Sequence, residues 1–243
     1  ALCYCRRQRS CGAPARPDPP DYLPPTIPPC RVPDDLDTMV EVPAGEFVMG
    51  SEEGDRDERP VRRVFLPTFW IDKYLVTNLQ FKRFDKSWPY PDGHDLRPAI
   101  VTWEQADGYA RWADKCLPTE AEWEKSARGT DGRRFPWGNS HDPSMVAWSK
   151  GEPQGRVTPC VSPYGCVDMV GNVWQWTADW YDAYPGSDFK NDAMGARFKT
   201  LRGGASFGDL SHTRCAHRYY ALPGSKVVGH ATGFRCVKPR GST

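Results

Sequence analysis

Three short helical segments, each with a threonine at or near its start, lie between residues 77 and 129, and the rest of the chain after them has no comparable segment. Apolar residues recur at helical spacing over residues 77–84 and 102–115. In the third segment, 118–129, Thr119 and Glu122 have the spacing of a capping box. These segments predict helices that begin just after Thr77, Thr102 and Thr119.

Short strand candidates surround these helices. The stretch "MVEVPAGEFVMGS" alternates Val42, Phe47 and Met49 around a Pro-Ala-Gly turn, which predicts a strand, a turn and a second strand. The stretch "RRVFLPTFWIDKYLVT" is expected to continue as strand, with its aromatic residues on one face. After residue 129 come aromatic-rich loops and only short strand candidates. The predicted fold class is therefore α+β, with few regular elements and long loops.

Size and charge narrow the classes of partner. A chain of 243 residues with 39% apolar and 12% aromatic content can bury one sizeable core. Its 32 basic and 31 acidic residues leave a net charge of +1, which gives no general attraction for nucleic acid or anionic lipid. No apolar run approaches the roughly 20 residues that span a bilayer. We therefore expect no nucleic-acid partner and no transmembrane segment.

The first 37 residues differ in composition from the rest. Prolines crowd this segment, fix its backbone angles and favour an extended coil, so we expect a disordered tail or tether over 1–37 and a folded domain over 38–243. The tail is either an end without function or a spacer. It carries Cys3, Cys5, Cys11 and Cys30, which favour an oxidising compartment: secreted, periplasmic or attached to the cell surface. A lipid anchor on a tail cysteine stays open.

Ordered motifs run through nearly the whole globular part: "VPAGEFVMGS", "RPAIVTWEQADGYARWADKCLPTEAEWEKSARG", "RRFPWGN", "SPYGCVDMVGNVWQWTADWY", "RGGAS" and "GFRC". In these motifs the chain resembles the formylglycine-generating enzyme or sulfatase-modifying-factor family. The resemblance implies a modified C-type-lectin-like fold. It does not imply one activity, because this domain occurs in copper-dependent oxidases that convert a client cysteine to formylglycine, in other oxygen-using enzymes, and in non-catalytic binding modules.

The family's catalytic cysteine pair is missing from this chain. In the formylglycine-generating enzymes two cysteines lie between the Gly-Gly-Ser and Arg-Cys-Ala strands, where their thiolates hold copper(I). Here the interval is "ASFGDLSHT", residues 205–213, which contains no cysteine, and Ala205 replaces the family's serine. We therefore expect no copper and assign no catalytic residue.

The remaining cysteines resemble structural positions of the family. Cys215 and Cys236 match two disulfide positions whose usual partners are replaced here by Ala110 and Ala127. The resemblance therefore suggests new pairs: Cys215 with Cys236, and Cys160 with Cys166, with Cys116 left free or bonded to the tail. Bridges in a loop-rich domain typically contribute about 2–4 kcal/mol to stability.

Two metal sites can be considered. The family's structural Ca²⁺ segment matches "CVDMVGNVWQWT", and the resemblance implies oxygen ligands from the following residues: Asp168, Gly171, Val173 and Gln175. A histidine site formed by His212, His217 and His230 is the other hypothesis. The histidines show no HxxxH or HxH spacing, which favours a hydrogen-bonding surface instead.

The family's active-site cleft defines a candidate ligand surface. Trp174 and Arg218 match residues that line the cleft and contact the client peptide, and they are expected to form its floor. The rim is expected to contain Ser206, Phe207, Asp209, His212, Tyr219, Tyr220 and His230. These polar and aromatic residues suit recognition, and the interval lengths resemble those of lectin-fold display proteins diversified by retroelements.

The sequence thus favours a non-catalytic module that binds a peptide, protein or glycan. The alternative is an oxygen-dependent oxidoreductase that modifies a client protein, and the sequence leaves open whether the chain is an enzyme. An ordinary solvated loop over the same residues stays a third interpretation.

Overall fold

A capping threonine precedes each of the three α-helices in the computed structural model, which describes residues 36–146, 160–204, 210–225 and 231–239. The helices are α1 (Asn78–Phe84), α2 (Trp103–Trp112) and α3 (Glu120–Arg128). Each capping hydroxyl accepts a hydrogen bond from the backbone amide three residues on, and the Gln or Glu side chain there bonds back. The three predicted helices and their caps are confirmed.

The described ranges contain nine short strands in three sheets. The strands are β1 (Met39–Val42), β2 (Gly45–Met49), β3 (Arg62–Leu66), β4 (Phe69–Asp72), β5 (Trp174–Trp180), β6 (Lys199–Arg202), β7 (Tyr219–Ala221), β8 (Thr232–Gly233) and β9 (Val237–Pro239). They are ordered β1-β4-β9, β2-β3 and β7-β6-β5-β8. Only the β5–β8 pair is parallel among these pairings. The α+β prediction with few regular elements is confirmed.

The strand, turn and strand predicted around Pro43 exist, but the two strands join different sheets. β1 pairs with β4, and β2 pairs with β3. The buried Lys125 of α3 ties the turn down, because its Nζ donates to the carbonyls of Pro43 at 2.7 Å and Gly45 at 2.9 Å.

The expectation that the next aromatic residues share one face is wrong. Phe65 on β3 is 65% exposed, whereas Phe69 on β4 is fully buried. Pro67 lies between the two strands, which belong to separate sheets. The alternation of one strand therefore does not continue into the other.

Two groups of buried side chains form most of the core. The first lies between α1, α2 and the strand pair β5–β6, and includes Phe81, Tyr109, Trp176, Leu201, Phe234 and Cys236. The rings of Phe81 and Tyr109 stack at 5.6 Å, and Phe234 meets Tyr109 edge-on at 5.4 Å. The second lies between α3 and β4, and includes Phe69, Ile71, Trp123, Cys160, Cys166 and Cys215.

The cysteine pairs expected from the family resemblance are not formed. Cys160, Cys166, Cys215 and Cys236 are free, buried thiols. Cys215 lies in the second core group and Cys236 in the first, so the two side chains pack against different neighbours. Cys160 and Cys166 share a core group but stay unbonded. Burial raises the pKa of Cys160 to about 12 and also raises the pKa of the other three thiols.

The described residues just before β1 contact α1. Gln80 Nε2 donates to the Leu36 carbonyl and to Asp37 Oδ1, and Arg83 pairs with Asp37 at 2.8 Å. The predicted boundary at residue 37 stays a prediction, since most of the tail lies outside the described residues. No helix within the described ranges is both long and apolar enough to cross a membrane.

Candidate functional site

Three aromatic side chains gather where β7 lies near β5. The Tyr219 ring stacks on Trp174 with centroids 5.0 Å apart and on Tyr220 at 5.5 Å. Tyr219 is 39% exposed, Tyr220 is half-buried and Trp174 is buried. We call these three residues the aromatic surface. Antiparallel pairing of β7 with β6, and of β6 with β5, brings these distant segments together.

One histidine lies against the aromatic surface, and a second histidine lies against the first. The ring of His217 is 5.7 Å from that of Trp174, centroid to centroid. His212 is exposed, and its Nδ1 lies 3.1 Å from Nε2 of the buried His217. Of the predicted ligand-binding residues, the structure therefore brings four together: Trp174, His212, Tyr219 and Tyr220.

Arg218, the other predicted floor residue, is turned into the protein. Its Nε and Nη2 hold both carboxylate oxygens of Glu120, at 2.7 and 3.0 Å. Nη1 donates to the Asp57 carbonyl, and the guanidinium lies 4.1 Å from the Tyr184 ring centroid. Burial alone would raise the pKa of Glu120, but the Arg218 and Arg202 charges hold it below its usual range. This engagement speaks against the predicted ligand contact of Arg218.

Four predicted rim residues cannot be placed. Ser206, Phe207, Asp209 and His230 lie outside the described residues. The rim assigned to them stays a prediction.

The residues implied for Ca²⁺ adopt a geometry that does not fit a metal ion on Gln175. The Gln175 Oε1 atom accepts from Trp123 Nε1 and from Arg235 Nε, both at 2.9 Å. Its Nε2 group donates to the carbonyl of Asp168 at 2.9 Å. A cation on that oxygen would stand beside the guanidinium of the fully buried Arg235. The other implied ligands, Asp168, Gly171 and Val173, are buried in the same turn.

A polar cluster that the sequence did not predict lies beside His217. Asp55 and Glu58 come from the loop after β2, and their carboxylates approach His217 Nδ1. Arg214 grips Glu58 with two hydrogen bonds of 2.6 and 2.7 Å. A Cβ at Gly54 would overlap both the Glu58 carboxylate and the Arg214 guanidinium, so this close approach needs glycine.

The ionisation of Glu58 follows from these neighbours. Burial raises the pKa of Glu58, but the His217 side chain and the Arg214 guanidinium outweigh it and lower the pKa to about 2. Glu58 is therefore a carboxylate at neutral pH. The cluster joins residues more than 150 positions apart in the sequence, so no local sequence motif could have predicted it.

A cavity of about 540 Å³ lies outside the aromatic surface, and its lining includes Ser51, Glu53, Arg128, Arg134, Asn139 and Arg214. No residue of the aromatic surface lines it. Arg128 and Arg214 already donate to protein acceptors, which leaves these guanidiniums little capacity for a ligand. We therefore place the candidate site at the aromatic surface rather than in this cavity.

The sequence model of one family, the sulfatase-modifying factor enzyme 1-like domain, matches residues 26–240. The chain belongs to this family. It is 36% identical over 239 residues to the serine/threonine-protein kinase pkn1 of Chlamydia caviae, covering 82% of this chain but only 38% of the kinase. It is 30% identical over 286 residues to the formylglycine-generating enzyme of Thermomonospora curvata, covering 82% of this chain and 92% of that enzyme.

Among solved structures, PvdO from Pseudomonas aeruginosa has a similar fold. The TM-score is 0.68 with 25% sequence identity, covering 83% of this chain and 94% of PvdO. The predicted formylglycine-generating-enzyme-like fold is therefore confirmed. The chain spans well under half the length of the kinase relative, so the match concerns one part of that protein.

Within this family fold, the described thiols are poorly placed for oxidation chemistry at the aromatic surface. Four of the five described cysteines are buried in the core, and the fifth, Cys116, precedes α3 and pairs with β9. The nucleophile and copper ligand is the thiolate, which a raised thiol pKa disfavours. The side chains available for binding at and beside the aromatic surface are therefore aromatic rings and imidazoles.

Proposed function

We propose that this sulfatase-modifying-factor-family domain is a non-catalytic module that binds a peptide, protein or glycan at the aromatic surface. The observation that carries the proposal is the exposed Tyr219 ring, stacked on the buried Trp174, which also lies beside the His217–His212 pair. Tyrosine offers large contact area together with a hydroxyl, which suits the recognition of mixed polar and apolar ligands.

The support beneath Tyr219 favours binding over mere exposure. Stacking on both Trp174 and Tyr220 restricts the Tyr219 ring, so less side-chain entropy would be lost when a ligand docks. Tyr220 is itself held by Tyr181, whose ring centroid is 4.5 Å away, and by Phe198 at 5.3 Å. The surface is therefore preorganised.

The thiol chemistry argues against oxidation of a client cysteine. Residues 205–213 contain no cysteine, where the oxidases of the family resemblance hold copper(I) with two. The likeness to a formylglycine-generating enzyme over 92% of that enzyme's length keeps an oxidoreductase as the second candidate. The two functions differ in whether a bound peptide is changed.

We also propose that the domain works in an oxidising compartment, because four cysteines in a proline-rich tail would be a liability in a reducing one. An anchor through one of these cysteines would tether the domain to a surface. Fractionation of cells followed by mass analysis of the amino-terminal peptides tests both points, and a cytosolic chain with unmodified thiols contradicts them.

The binding function is tested by probing peptide and glycan arrays with the full chain, its Tyr219→Ala variant and a matched control, Phe65→Ala. Phe65 is an exposed aromatic residue on β3, outside the aromatic surface. Any ligand recovered is expected to bind wild type and the control equally and to bind Tyr219→Ala at least tenfold more weakly. Equal binding by all three chains would remove the aromatic surface as the site.

The catalytic candidate is tested on the same preparation. Copper(I) is titrated into the protein, and a Cys-x-Pro-x-Arg peptide is then incubated with it in air. We expect no loss of peptide thiol beyond a protein-free copper control. Turnover with oxygen uptake would establish an oxidoreductase and overturn the non-catalytic proposal.

A further inference from the structure

Asp55, Glu58 and His217 present three potential metal-ligand atoms to one point. His217 Nδ1 lies 3.2 Å from Asp55 Oδ2 and 3.7 Å from Glu58 Oε1. One ligand atom from each residue lies within 4.8 Å of the other two. Asp55 is the N-cap of the short 3-10 turn Arg56–Glu58 in the loop after β2, Glu58 is the last residue of that turn, and His217 precedes β7.

The His217 ring is oriented by its second nitrogen. Nε2 lies 3.1 Å from His212 Nδ1, close enough for one imidazole to donate to the other. The opposite nitrogen, Nδ1, is buried and makes no hydrogen bond of normal geometry, although Asp55 Oδ2 lies 3.2 Å away and the His217 side chain is only 6% exposed. Such a buried polar atom normally has a partner, so its position between two carboxylates requires an explanation.

We propose that His217 Nδ1, Asp55 and Glu58 bind a divalent transition metal ion of the Zn²⁺ class. Tetrahedral bonds of about 2.0–2.2 Å place neighbouring ligand atoms roughly 3.3–3.6 Å apart. The two distances from Nδ1, 3.2 and 3.7 Å, lie close to that range. One imidazole and two carboxylates form a donor set that such ions accept.

The charges of the cluster also favour a dication. Asp55 and Glu58 carry two negative charges when ionised, and Arg214 supplies one positive charge through its two bonds to Glu58. Neutral His217 adds none, so the ligand set and Arg214 together keep one net negative charge. Arg214 would remain the outer partner that orients the Glu58 carboxylate, as carboxylate ligands usually require.

The three ligands differ in how freely they can bind. Glu58 Oε1 already accepts from Arg214 Nη2 and from the Asp55 amide, so Glu58 is the most engaged ligand. Asp55 has a side chain 64% exposed, which leaves an approach from solvent and room for water to complete the coordination. His217 and Asp55 therefore form the core of the site, with Glu58 as third ligand.

The competing explanation is a purely structural ion pair, in which a proton on His217 takes the place of the metal. Both arrangements would hold the loop after β2 against β7. They differ in saturable metal binding, which an ion pair does not produce.

The test uses the full chain with its four tail cysteines changed to serine, because tail thiols also bind Zn²⁺. Zn²⁺ binding is measured by equilibrium dialysis, and Co²⁺ replaces it for absorption spectra. We expect one equivalent of Zn²⁺ to bind this parent and the matched control Glu53→Gln, an exposed carboxylate of the same loop. Asp55→Asn is expected to weaken binding at least tenfold and His217→Gln to abolish it. The Co²⁺ spectrum should lack a thiolate charge-transfer band.

Any of three outcomes overturns the proposal. One is the absence of saturable Zn²⁺ binding by the parent. Another is equal affinity in Asp55→Asn and Glu53→Gln, and the third is a thiolate band that assigns the metal to a remaining cysteine. Asp55 is exposed, so its variant keeps the test decisive even where His217→Gln fails to fold.

Discussion

Replacing Arg235 with methionine is expected to destabilise the domain by about 2–4 kcal/mol, because this fully buried guanidinium bonds five acceptors. The acceptors are Gln175 Oε1 at 2.9 Å and the carbonyls of Asp72 at 2.9 Å, Lys73 at 3.0 Å, Val167 at 2.8 Å and Asp168 at 3.2 Å. They come from the end of β4 and the residue after it, from the loop that precedes β5, and from β5 itself. Arg235 therefore joins parts of the chain that have no sequence proximity.

The magnitude follows from which acceptors keep another donor. Gln175 Oε1 keeps Trp123 Nε1, the Asp168 carbonyl keeps Gln175 Nε2, and the Lys73 carbonyl keeps the Val167 amide. The carbonyls of Asp72 and Val167 carry the main loss, and each buried acceptor left unpaired costs about 1–3 kcal/mol. Removing a buried charge, whose desolvation lowers the pKa of Arg235, offsets part of that cost.

Urea unfolding followed by tryptophan fluorescence measures the effect. The matched control is Arg83→Met, whose guanidinium is half-exposed and paired with Asp37, and which should cost under about 1 kcal/mol. Arg235→Lys should also destabilise, because one ammonium cannot reach all five acceptors. A loss for Arg235→Met no larger than that of the control would refute the role assigned to this residue.

Three further predictions concern the calcium segment, the thiols and a buried ion pair. Millimolar Ca²⁺ added to metal-stripped protein should leave Tm unchanged. A protein with a true site would gain about 2.7 kcal/mol of stability from Ca²⁺ at 100 times its Kd. A rise in Tm that Asp168→Asn abolishes would show that the predicted calcium site exists. Alkylation of the native chain, read by peptide mass spectrometry, should modify the exposed Cys116 and spare Cys215, whose buried thiol has a raised pKa; rapid native labelling of Cys215 would contradict this. Glu120→Gln should lower stability near pH 7, because it breaks the pair with Arg218. The folded-state pKa of Glu120 is lowered from 4.5, so its contribution is present above that pH and fades on acidification. Between about pH 7 and about pH 3.5, the free energy of unfolding should therefore fall less for the variant than for wild type. An equal fall in the two proteins would refute the pairing.

The helices could be predicted because their signals are local. A capping threonine and its partner lie three residues apart, so a short stretch of sequence is enough to predict that helices begin just after Thr77, Thr102 and Thr119. Strand pairing carries no such local signal. The segment before and after Pro43 therefore gave the strands but not their partners.

The candidate site was predictable only in part, for the same reason. Family motifs led to Trp174, Tyr219 and Tyr220, which the fold does bring together. Arg218 was matched by position, but its partner Glu120 lies 98 residues away on α3, and that partner decides which way the guanidinium turns. Sequence motifs therefore located the segments of the site, whereas long-range ion pairing set the roles of their charged residues.

The cysteine pairs could not be predicted, because the absence of the family's usual partner residues does not reveal which remaining cysteines lie close together in space. Ala110 and Ala127 remove the family's usual partners, which says nothing about where the remaining sulfurs lie. The structure places Cys215 and Cys236 in different core groups. Disulfide geometry needs closely opposed Cβ atoms, a property that only the fold supplies.

The sheet β1-β4-β9 has a topological consequence for how such a domain is assembled into larger proteins. The first and last strands flank β4 and run parallel to each other, so the described chain enters beside one end of β4 and leaves beside its other end. Because these strands are short, the two points lie only about 14 Å apart by strand spacing and rise. A domain with neighbouring ends can be spliced into or onto a host chain as a cassette without stretching the host. A circular permutant that joins the ends by a short Gly/Ser linker and opens the chain elsewhere should fold for the same reason.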